Sequence, residues 1–594
     1  MTLAKHWKYN DNEDIVLSNL KGLVSSDPAL KLIPSEKVVF NNSSDTKKKI
    51  TLVSGGGAGH EPMHAGFVGD NLLDAAVSGS IFASPSTKQI MAAVKTKSDK
   101  EKGTLIIVKN YTGDILHFGL VVERAKTEGY NVEMLPVADD VAVGRKQNEM
   151  VGRRGLAGTA LIHKILGSAA ASTGADLNTI FELGKSINSS FVTVGASLDR
   201  TSVPGKTHEI EFTGENEAEI GLGIHNEPGH KIPIPNIDDL VNQMFDMLVS
   251  PKDTERHYVD FDLKNDEYVL LINNIGGTSS LELYTIASHV VDNLPLSKRP
   301  KRVLISDFVT SLNSPGFSVT LLNLSVAAKG KSGFSIDDIL SFLDTPTNAP
   351  GWKPKSYSSE LWDKKSEYVE SPMKDAKTVT SSLRVDAKKF ESALKGGLEY
   401  LLKKEPEITH YDTIVGDGDC GETLAAGANA VLSALKNDKS FKEHLNDPVC
   451  AVSKITEIVE DNMGGTSGGI YSIFLTSLGK SLQKSKEINV TTLGTAFHEA
   501  LYDGLFKYTK ARTGGRTLVD TLQPFVDTFL KSKDYRKALE SAKKGCEETK
   551  KLQAKFGRAS YVNEDEFKNE EGGIPDPGAY GLLAIFEGFI NSLN

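Results

Sequence analysis

The spacing of apolar residues changes near residue 380, and that change commits the chain to two different architectures in succession. Up to about residue 350 the apolar residues come in short runs: Ile50 to Ser54, Thr104 to Val108, Val132 to Val137, Tyr268 to Ile272 and Val303 to Ile305. Several stop at Gly or Asn, as at Gly55-Gly56-Gly57, Lys109-Asn110 and Asn273-Asn274. Such runs suit strands covered on both faces, as in parallel sheets. Helical patterns such as Leu156 to Leu166 lie between them. The first part therefore reads as α/β, with ligands expected where strands end in Gly- and Asn-rich loops.

Beyond Ser382 only helical periodicity remains. Phe390, Leu394, Leu398 and Leu401 recur at spacings of four, four and three, one face of a helix. Further helices are expected at about 424–436, 448–461, 492–509, 521–530, 535–553 and 578–592, with no strand between them. From about Thr345 to Ser382 the pattern dissolves into Pro, Ser, Lys and Thr, which reads as a linker. Trp352 and Trp362 are expected to pack against a neighbouring domain. The predicted organisation is an α/β domain over 1–355 in two subdomains divided near 190–260, a linker over 356–382, and an all-α domain over 383–594.

Composition narrows the function classes. The 594 residues allow about four packing units. Lys+Arg 68 against Asp+Glu 78 leaves a net charge of -10, against a nucleic acid or anionic membrane as partner. An anionic ligand would have to be held by backbone N–H groups or through metal ions. Three cysteines, Cys420, Cys450 and Cys546, form no disulfide framework and suit a reducing compartment. Met1 to Asp14 lacks an apolar signal core, and no run of about 18 apolar residues occurs. A cytoplasmic enzyme is expected.

Three motifs mislead. His60-Glu61-Pro62-Met63-His64 matches a zinc-protease signature, but glycines precede it, Pro62 interrupts it, and both histidines would have to share a helical face. Gly205-Lys206-Thr207 imitates the end of a P-loop, yet Arg200 stands where the first Gly is required. Gly465-Thr466-Ser467-Gly468-Gly469 imitates a nucleophile elbow, but helical rather than strand periodicity precedes it.

The informative segment is His410-Tyr411-Asp412-Thr413-Ile414-Val415-Gly416-Asp417-Gly418-Asp419-Cys420-Gly421. Its carboxylates at Asp412, Asp417 and Asp419 are spaced by five and two residues, with glycines that let the backbone curl around them. Three converging carboxylates repel one another unless a cation neutralises them. Hard oxygen ligands with open positions suit Mg2+ shared with a phosphate-bearing substrate, and EF-hand spacing is absent. A solvated acidic turn is the alternative. Two further glycine-rich segments, Met463 to Gly469 and Pro575-Asp576-Pro577-Gly578-Ala579, together with Arg516 after Gly514-Gly515, complete a nucleotide site without a Walker sequence.

These segments resemble the ATP-binding domain of the dihydroxyacetone kinase (glycerone kinase) family. Gly55-Gly56-Gly57-Ala58-Gly59-His60-Glu61-Pro62, Lys109-Asn110-Tyr111-Thr112-Gly113-Asp114 and Gly221-Leu222-Gly223-Ile224-His225-Asn226-Glu227-Pro228-Gly229 resemble the family's substrate domain. The motifs follow the family's order over nearly the whole chain, in the fused arrangement of the single-chain ATP-dependent yeast enzymes. The resemblance implies a two-subdomain α/β substrate domain followed by an all-α helical barrel.

It also implies roles. His225 would add to the ketone as a covalent hemiaminal, which selects carbonyl compounds over glycerol and fixes the attacking hydroxyl. His60 would assist that addition and hydrogen-bond the substrate, and Asp114 would serve as base. Gly56, Gly57, Ala58, Gly59 and Lys109 would line the pocket. Cys420, Gly421, Glu422, Thr423, Thr466, Ser467, Arg516, Asp576, Pro577 and Gly578 would contact ATP, although the extra charge of Glu422 has no task there. Asp412, Asp417 and Asp419 would hold two Mg2+ ions. The expected partners are dihydroxyacetone or glyceraldehyde, ATP and a second copy of the chain as a homodimer. Two other outcomes are an FAD-cyclising lyase activity at the same nucleotide site and a non-catalytic triose sensor.

Overall fold

The computed structural model describes residues 6–10, 13–148, 150–204, 213–364, 379–553 and 573–593. Gly205-Lys206-Thr207 and residues 365–378 of the expected linker lie outside these. The chain divides into two compact units, Met1–Glu370 and Ser371–Asn594.

The first unit contains two six-stranded sheets. The first comprises β1 (Leu30–Ile33), β2 (Val38–Asn41), β3 (Thr51–Ala58), β4 (Ala75–Ile81), β5 (Thr104–Lys109) and β6 (Val132–Val137), in the order β1-β2-β4-β3-β5-β6. Strands β4, β3, β5 and β6 run parallel, and β1 and β2 form an antiparallel edge. β3 continues past the expected run into Gly55-Gly56-Gly57, because pairing with β4 needs only backbone groups there.

The second sheet comprises β7 (Phe191–Ser197), β8 (Glu217–Ile220), β9 (His230–Pro233), β10 (Tyr268–Asn274), β11 (Arg302–Ser306) and β12 (Gly316–Asn323), in the order β11-β10-β12-β7-β8-β9. Here β10 and β11, the two runs read from the sequence, pair in parallel as expected, but every other pairing in the sheet is antiparallel. The reason is connection length. Residues 307–315 are too few for the helical crossover a parallel neighbour requires, so β12 turns back and pairs antiparallel on the far side of β10.

The helix Gly158–Ser172 joins the two sheets and is buried from Gly158 to Ala170. Its Leu161 and Ile165 share a core with Leu52, Leu105 and Leu135 of the first sheet and Val269, Leu271 and Leu322 of the second. Asp139, just past β6, accepts hydrogen bonds from the Leu156 and Gly158 N–H groups and from Thr193 Oγ1 of β7, at 2.5, 2.8 and 2.6 Å. The β11–β12 connection is tied to the end of β3, since the Leu312 N–H donates to the Gly59 carbonyl at 2.9 Å.

Trp352 and Trp362 both have partners within the first unit. Trp352 is in the first unit's own core against Phe67 and Phe308, and Trp362 lies beside Tyr357 and the Arg302 guanidinium. The Gly351 N–H donates to the Gly66 carbonyl at 2.7 Å, so the segment before the expected linker is anchored. At its other end Ser381 donates through its N–H and hydroxyl to Asp447, at 2.5 and 2.6 Å.

Among the described residues the second unit holds helices and no strand. Ala387–Val415 packs against Cys420–Asn437 and the last helix, Pro577–Asn591. Pro448–Asn462, Gly465–Gln483, Val490–Glu499, Val519–Ser532 and Tyr535–Glu548 complete the wall of the barrel. Leu401, Leu424, Phe474, Phe497, Phe525 and Phe586 face an apolar cavity of about 580 Å³. Two details differ from expectation. Gly465 to Gly469 is the first turn of a helix rather than a loop, because Ile470, Phe474 and Leu478 supply an apolar face that outweighs the weak propensity of the glycines. The helix expected over 492–509 widens after Glu499 into a π turn, Ala500–Gly504, and then a 3-10 turn, Leu505–Lys507. No helix among the described residues is long and apolar enough to cross a membrane.

Candidate active site

In the first unit, three chain segments far apart in sequence meet at the end of β3. Gly59 has a positive φ of 98°, and a side chain there would strike the Phe82 ring. This turn brings His60 inward, where its ring stacks on Phe82 at 5.1 Å. His60 Nδ1 lies 2.8 Å from the Thr310 carbonyl in the β11–β12 connection. Its Nε2 lies 3.0 Å from Nε2 of His225, on the β8–β9 loop. The His225 ring is flanked edge-on by His60, Phe82 and Tyr111, with centroids at 4.7, 5.4 and 4.7 Å. His60 is 1% exposed, so the contact is shielded from water on that side.

Lys109 ends β5, and Asp114 lies in the first turn of the helix Thr112–Thr127, where the N-terminal dipole favours an anion. Both are buried. Burial pulls the Lys109 ammonium down to about 8 against the pull of Asp114, and burial pushes the Asp114 carboxyl up against a hydrogen bond from Ser84 and the charge of Lys109. His60 is held well below the usual imidazole range by burial, then by Lys109 and His225. Asp114 Oδ1 is buried without a hydrogen-bond partner among the described residues. Gly56 borders the same space, and Gly57 and Ala58 continue β3 beside it.

His64, the second histidine of the zinc-like motif, shares no helical face with His60, since residues 60–64 form turns. Its Nδ1 lies 3.0 Å from Ser54 Oγ and 3.1 Å from His163 Nε2. Its Nε2 is buried without a partner among the described residues and faces Gly56. The sequence drew attention to His64 only as a metal ligand. The sequence motif that holds His225 assigns no role to Glu227, yet Glu227 accepts a hydrogen bond from the His225 N–H and meets His225 Nδ1. A carboxylate two residues after a candidate nucleophilic histidine was the available signal.

In the second unit, oxygens of Asp412, Asp417 and Asp419 lie within 4.8 Å of one another. The spacing of five and two spans a helix junction: Asp412 is in the last turn of Ala387–Val415, and Asp419 immediately precedes Cys420–Asn437 without a side-chain capping hydrogen bond. Gly418 between them has φ 80°. The Cys420 N–H donates to Asp412 Oδ2 at 3.0 Å and fixes that carboxylate. Three close oxygens with two of the residues exposed fit a divalent cation with open positions.

The expected nucleotide contacts fall on three helix N-termini: Cys420, Gly421, Glu422 and Thr423 on one, Thr466 and Ser467 on another, Pro577 and Gly578 on the last. Such ends present unpaired N–H groups and positive dipole ends to phosphate. They converge, since the Cys420 thiol is pushed up to about 12 by burial and by Asp412 and Asp576, while Ser467 hydrogen-bonds it. Asp576 caps the last helix by accepting from the Ala579 N–H at 2.8 Å, and burial pushes its carboxyl up to about 7. Arg516 directs its guanidinium to the carbonyls of Thr549, Leu552 and Ile574, at 3.3, 3.2 and 3.0 Å, bracing the segment that leads to Asp576. Glu422 is exposed.

Residues 21–351 match the Dak1 domain and residues 414–591 match the DAK2 domain. The dihydroxyacetone kinase of Komagataella pastoris is 51% identical, covering 99% of this chain and 98% of its own. The chain belongs to the dihydroxyacetone kinase family. The triokinase/FMN cyclase of Mus musculus, 35% identical over 97% of this chain and 96% of its own, is a more distant relative. The crystal structure of the family member from C. freundii, in complex with AMP-PNP and Mg2+, superimposes with a TM-score of 0.67 at 30% identity, covering 99% of this chain and 100% of that one.

Proposed function

We propose that this chain is an ATP-dependent dihydroxyacetone kinase that also accepts glyceraldehyde and holds its substrate as a hemiaminal on His225. The observation that carries the covalent reading is the His60–His225 contact, in which a buried imidazole meets a second imidazole at 3.0 Å. A small polar triose offers little apolar area, so reversible addition to its carbonyl supplies affinity and selectivity that surface burial cannot. Asp114, with its carboxyl raised by burial, accepts the proton of the attacking hydroxyl. Lys109 lends positive charge to the same pocket.

ATP is bound by the three helix N-termini of the second unit, whose N–H groups hold phosphate oxygens in place. Asp412, Asp417 and Asp419 would hold Mg2+, which when bound screens phosphate charge during transfer. Positioning and electrostatic stabilisation then account for most of the catalysis of phosphoryl transfer. Release of ADP that requires dihydroxyacetone, Mg2+ and ATP together tests the activity. His225→Ala tests the tether, which fails if that variant keeps its preference for dihydroxyacetone over glycerol.

The mouse relative's name supports a second reading, cyclisation of FAD at the same nucleotide site. Incubation with FAD and Mn2+ in the absence of triose separates the two, since only the lyase would release AMP and a cyclic FMN.

A further inference from the structure

Glu227 reaches back along its own loop to His225. Its Oε2 accepts the His225 backbone N–H at 2.9 Å, and its Oε1 lies 3.0 Å from His225 Nδ1. The loop is shaped for this return. Asn226 takes a left-handed φ of 65°, and the Gly223 N–H donates to the Glu227 carbonyl at 2.9 Å. A side chain on Gly223 would overlap both Glu227 Oε2 and Arg154 Nη1. Arg154 stands 3.9 Å from Oε2, and its guanidinium is fixed by Asp140 and the Gly221 carbonyl, at 2.7 and 2.8 Å. Burial would raise the Glu227 carboxyl, but the hydrogen bonds from His225 and the charge of Arg154 bring it down to about 2, so it is ionised.

The acceptors around the two rings fix where their protons lie. The Thr310 carbonyl can only accept, so His60 Nδ1 carries hydrogen; ionised Glu227 can only accept, so His225 Nδ1 carries hydrogen. Two Nε2 atoms then face each other at 3.0 Å, and two lone pairs do not hold that distance. The contact calls for one proton between them, and since burial holds His60 well below the usual imidazole range, that proton rests on the His225 side, beside the Glu227 carboxylate, and is donated to neutral His60.

We propose that Glu227 is a positioning residue that fixes the Nδ1–H form of His225 and balances the single proton shared with His60, and that this proton is delivered to the substrate's carbonyl oxygen. The inference rests on the hemiaminal reading above. The shared proton moves to His60 Nε2, freeing the His225 Nε2 lone pair. That pair forms the bond to the carbonyl carbon while the C=O π pair moves to oxygen, which takes the proton from His60. His225 ends as an N-substituted imidazolium against Glu227, and His60 ends neutral on Thr310. The pair's net charge is the same before and after, so capture requires no proton from solvent. The other titratable groups around the pair and its carboxylate are Lys109, Asp114, Glu61, Arg154, Tyr111 and His64, and the hydrogen bond at His225 Nδ1 is the one to Glu227.

The test uses the full chain, [2-13C]dihydroxyacetone and 15N-histidine labelling. The wild type is expected to give a one-bond 13C–15N coupling. Glu227→Gln keeps the shape and the acceptor but loses the charge. It is expected to bind dihydroxyacetone about 10–100-fold more weakly near neutral pH, with the pH dependence of binding displaced as a whole to lower pH and KM for ATP unchanged. Glu227→Asp keeps the charge and should keep the wild-type pH profile even where affinity falls. If the wild type gives no coupling, the hemiaminal reading falls and takes this inference with it. If coupling is present but Glu227→Gln binds the ketone with wild-type affinity and pH profile, this inference alone is overturned.

Discussion

His64 and Asp114 face each other across the Cα of Gly56: a methyl there would sit 3.4 Å from His64 Nε2 and 3.6 Å from Asp114 Oδ2. Both distances are ordinary contact, and Gly56 has no positive φ, so Gly56→Ala should fold with stability within about 1 kcal/mol of wild type. The methyl would nevertheless occupy space beside Asp114 that the triose needs. KM for dihydroxyacetone should rise about tenfold or more, a change of ~1.4 kcal/mol, with KM for ATP unmoved. An unchanged KM for the ketone would place the substrate elsewhere in the pocket.

Asp114→Asn separates catalysis from stability. Loss of a general base should lower kcat by about 10²–10⁴-fold, and the fall of activity towards acid pH that Asp114 imposes should disappear. The sign for stability is opposite. Burial raises the folded carboxyl above its unfolded value, so its contribution to stability is fully present below the unfolded value and lost as pH rises through the folded one. Asp114→Asn should therefore unfold at a higher temperature than wild type at pH 7, and that advantage should vanish near pH 3. A variant less stable than wild type at pH 7 would mean the ionised carboxylate is better satisfied than its unpartnered Oδ1 indicates.

The two units should respond separately to metal. Chelation should abolish ADP release while leaving dihydroxyacetone capture intact, because His60, His225 and Glu227 all belong to the first unit. Without a divalent cation the three carboxylate oxygens repel, so Asp419→Asn should be at least as stable as wild type in chelator, within about 1 kcal/mol. With Mg2+ added, only the wild type should gain stability by ligand linkage. Equal gains in both proteins would move the ion away from this cluster.

How much of this was legible from sequence depends on whether a residue's role is local. Strands β3, β5, β6, β10 and β11 were readable because each carries a short, mostly apolar run. Strands β7 and β12 were not, although every residue in them is buried, because Gly, Ser, Thr and Asn break their apolar pattern and find partners across the sheet. The Thr193–Thr320 hydroxyl pair at 2.8 Å is one such partnership, set by tertiary pairing. In the same way, the spacing of Asp412, Asp417 and Asp419 signalled a cluster, but not that Asp412 would be helical. The contact between His60 and His225 bridges 165 residues, and only the resemblance to a family joined them before the fold did.

Lys164 offers a test of the fold itself. It is wholly buried in the helix between the two sheets, donating to Ser168 Oγ at 2.8 Å and the Phe342 carbonyl at 2.7 Å. Burial pulls its ammonium down to about 7, with Asp344 offsetting only part of the cost. An unfolded lysine titrates near 10.4, so between about pH 7 and 10 the unfolded chain holds a proton the folded chain has lost. For this group stability rises with pH across that window, at up to about 1.4 kcal/mol per unit, and is lost again as pH falls through about 7. Lys164→Met removes the titration. Compared at pH 7 and pH 9 by chemical unfolding, the wild type should gain about 2 kcal/mol relative to the variant. If the two proteins change in parallel, Lys164 keeps its charge in the folded state, and its two hydrogen bonds satisfy the ammonium well enough to outweigh its burial.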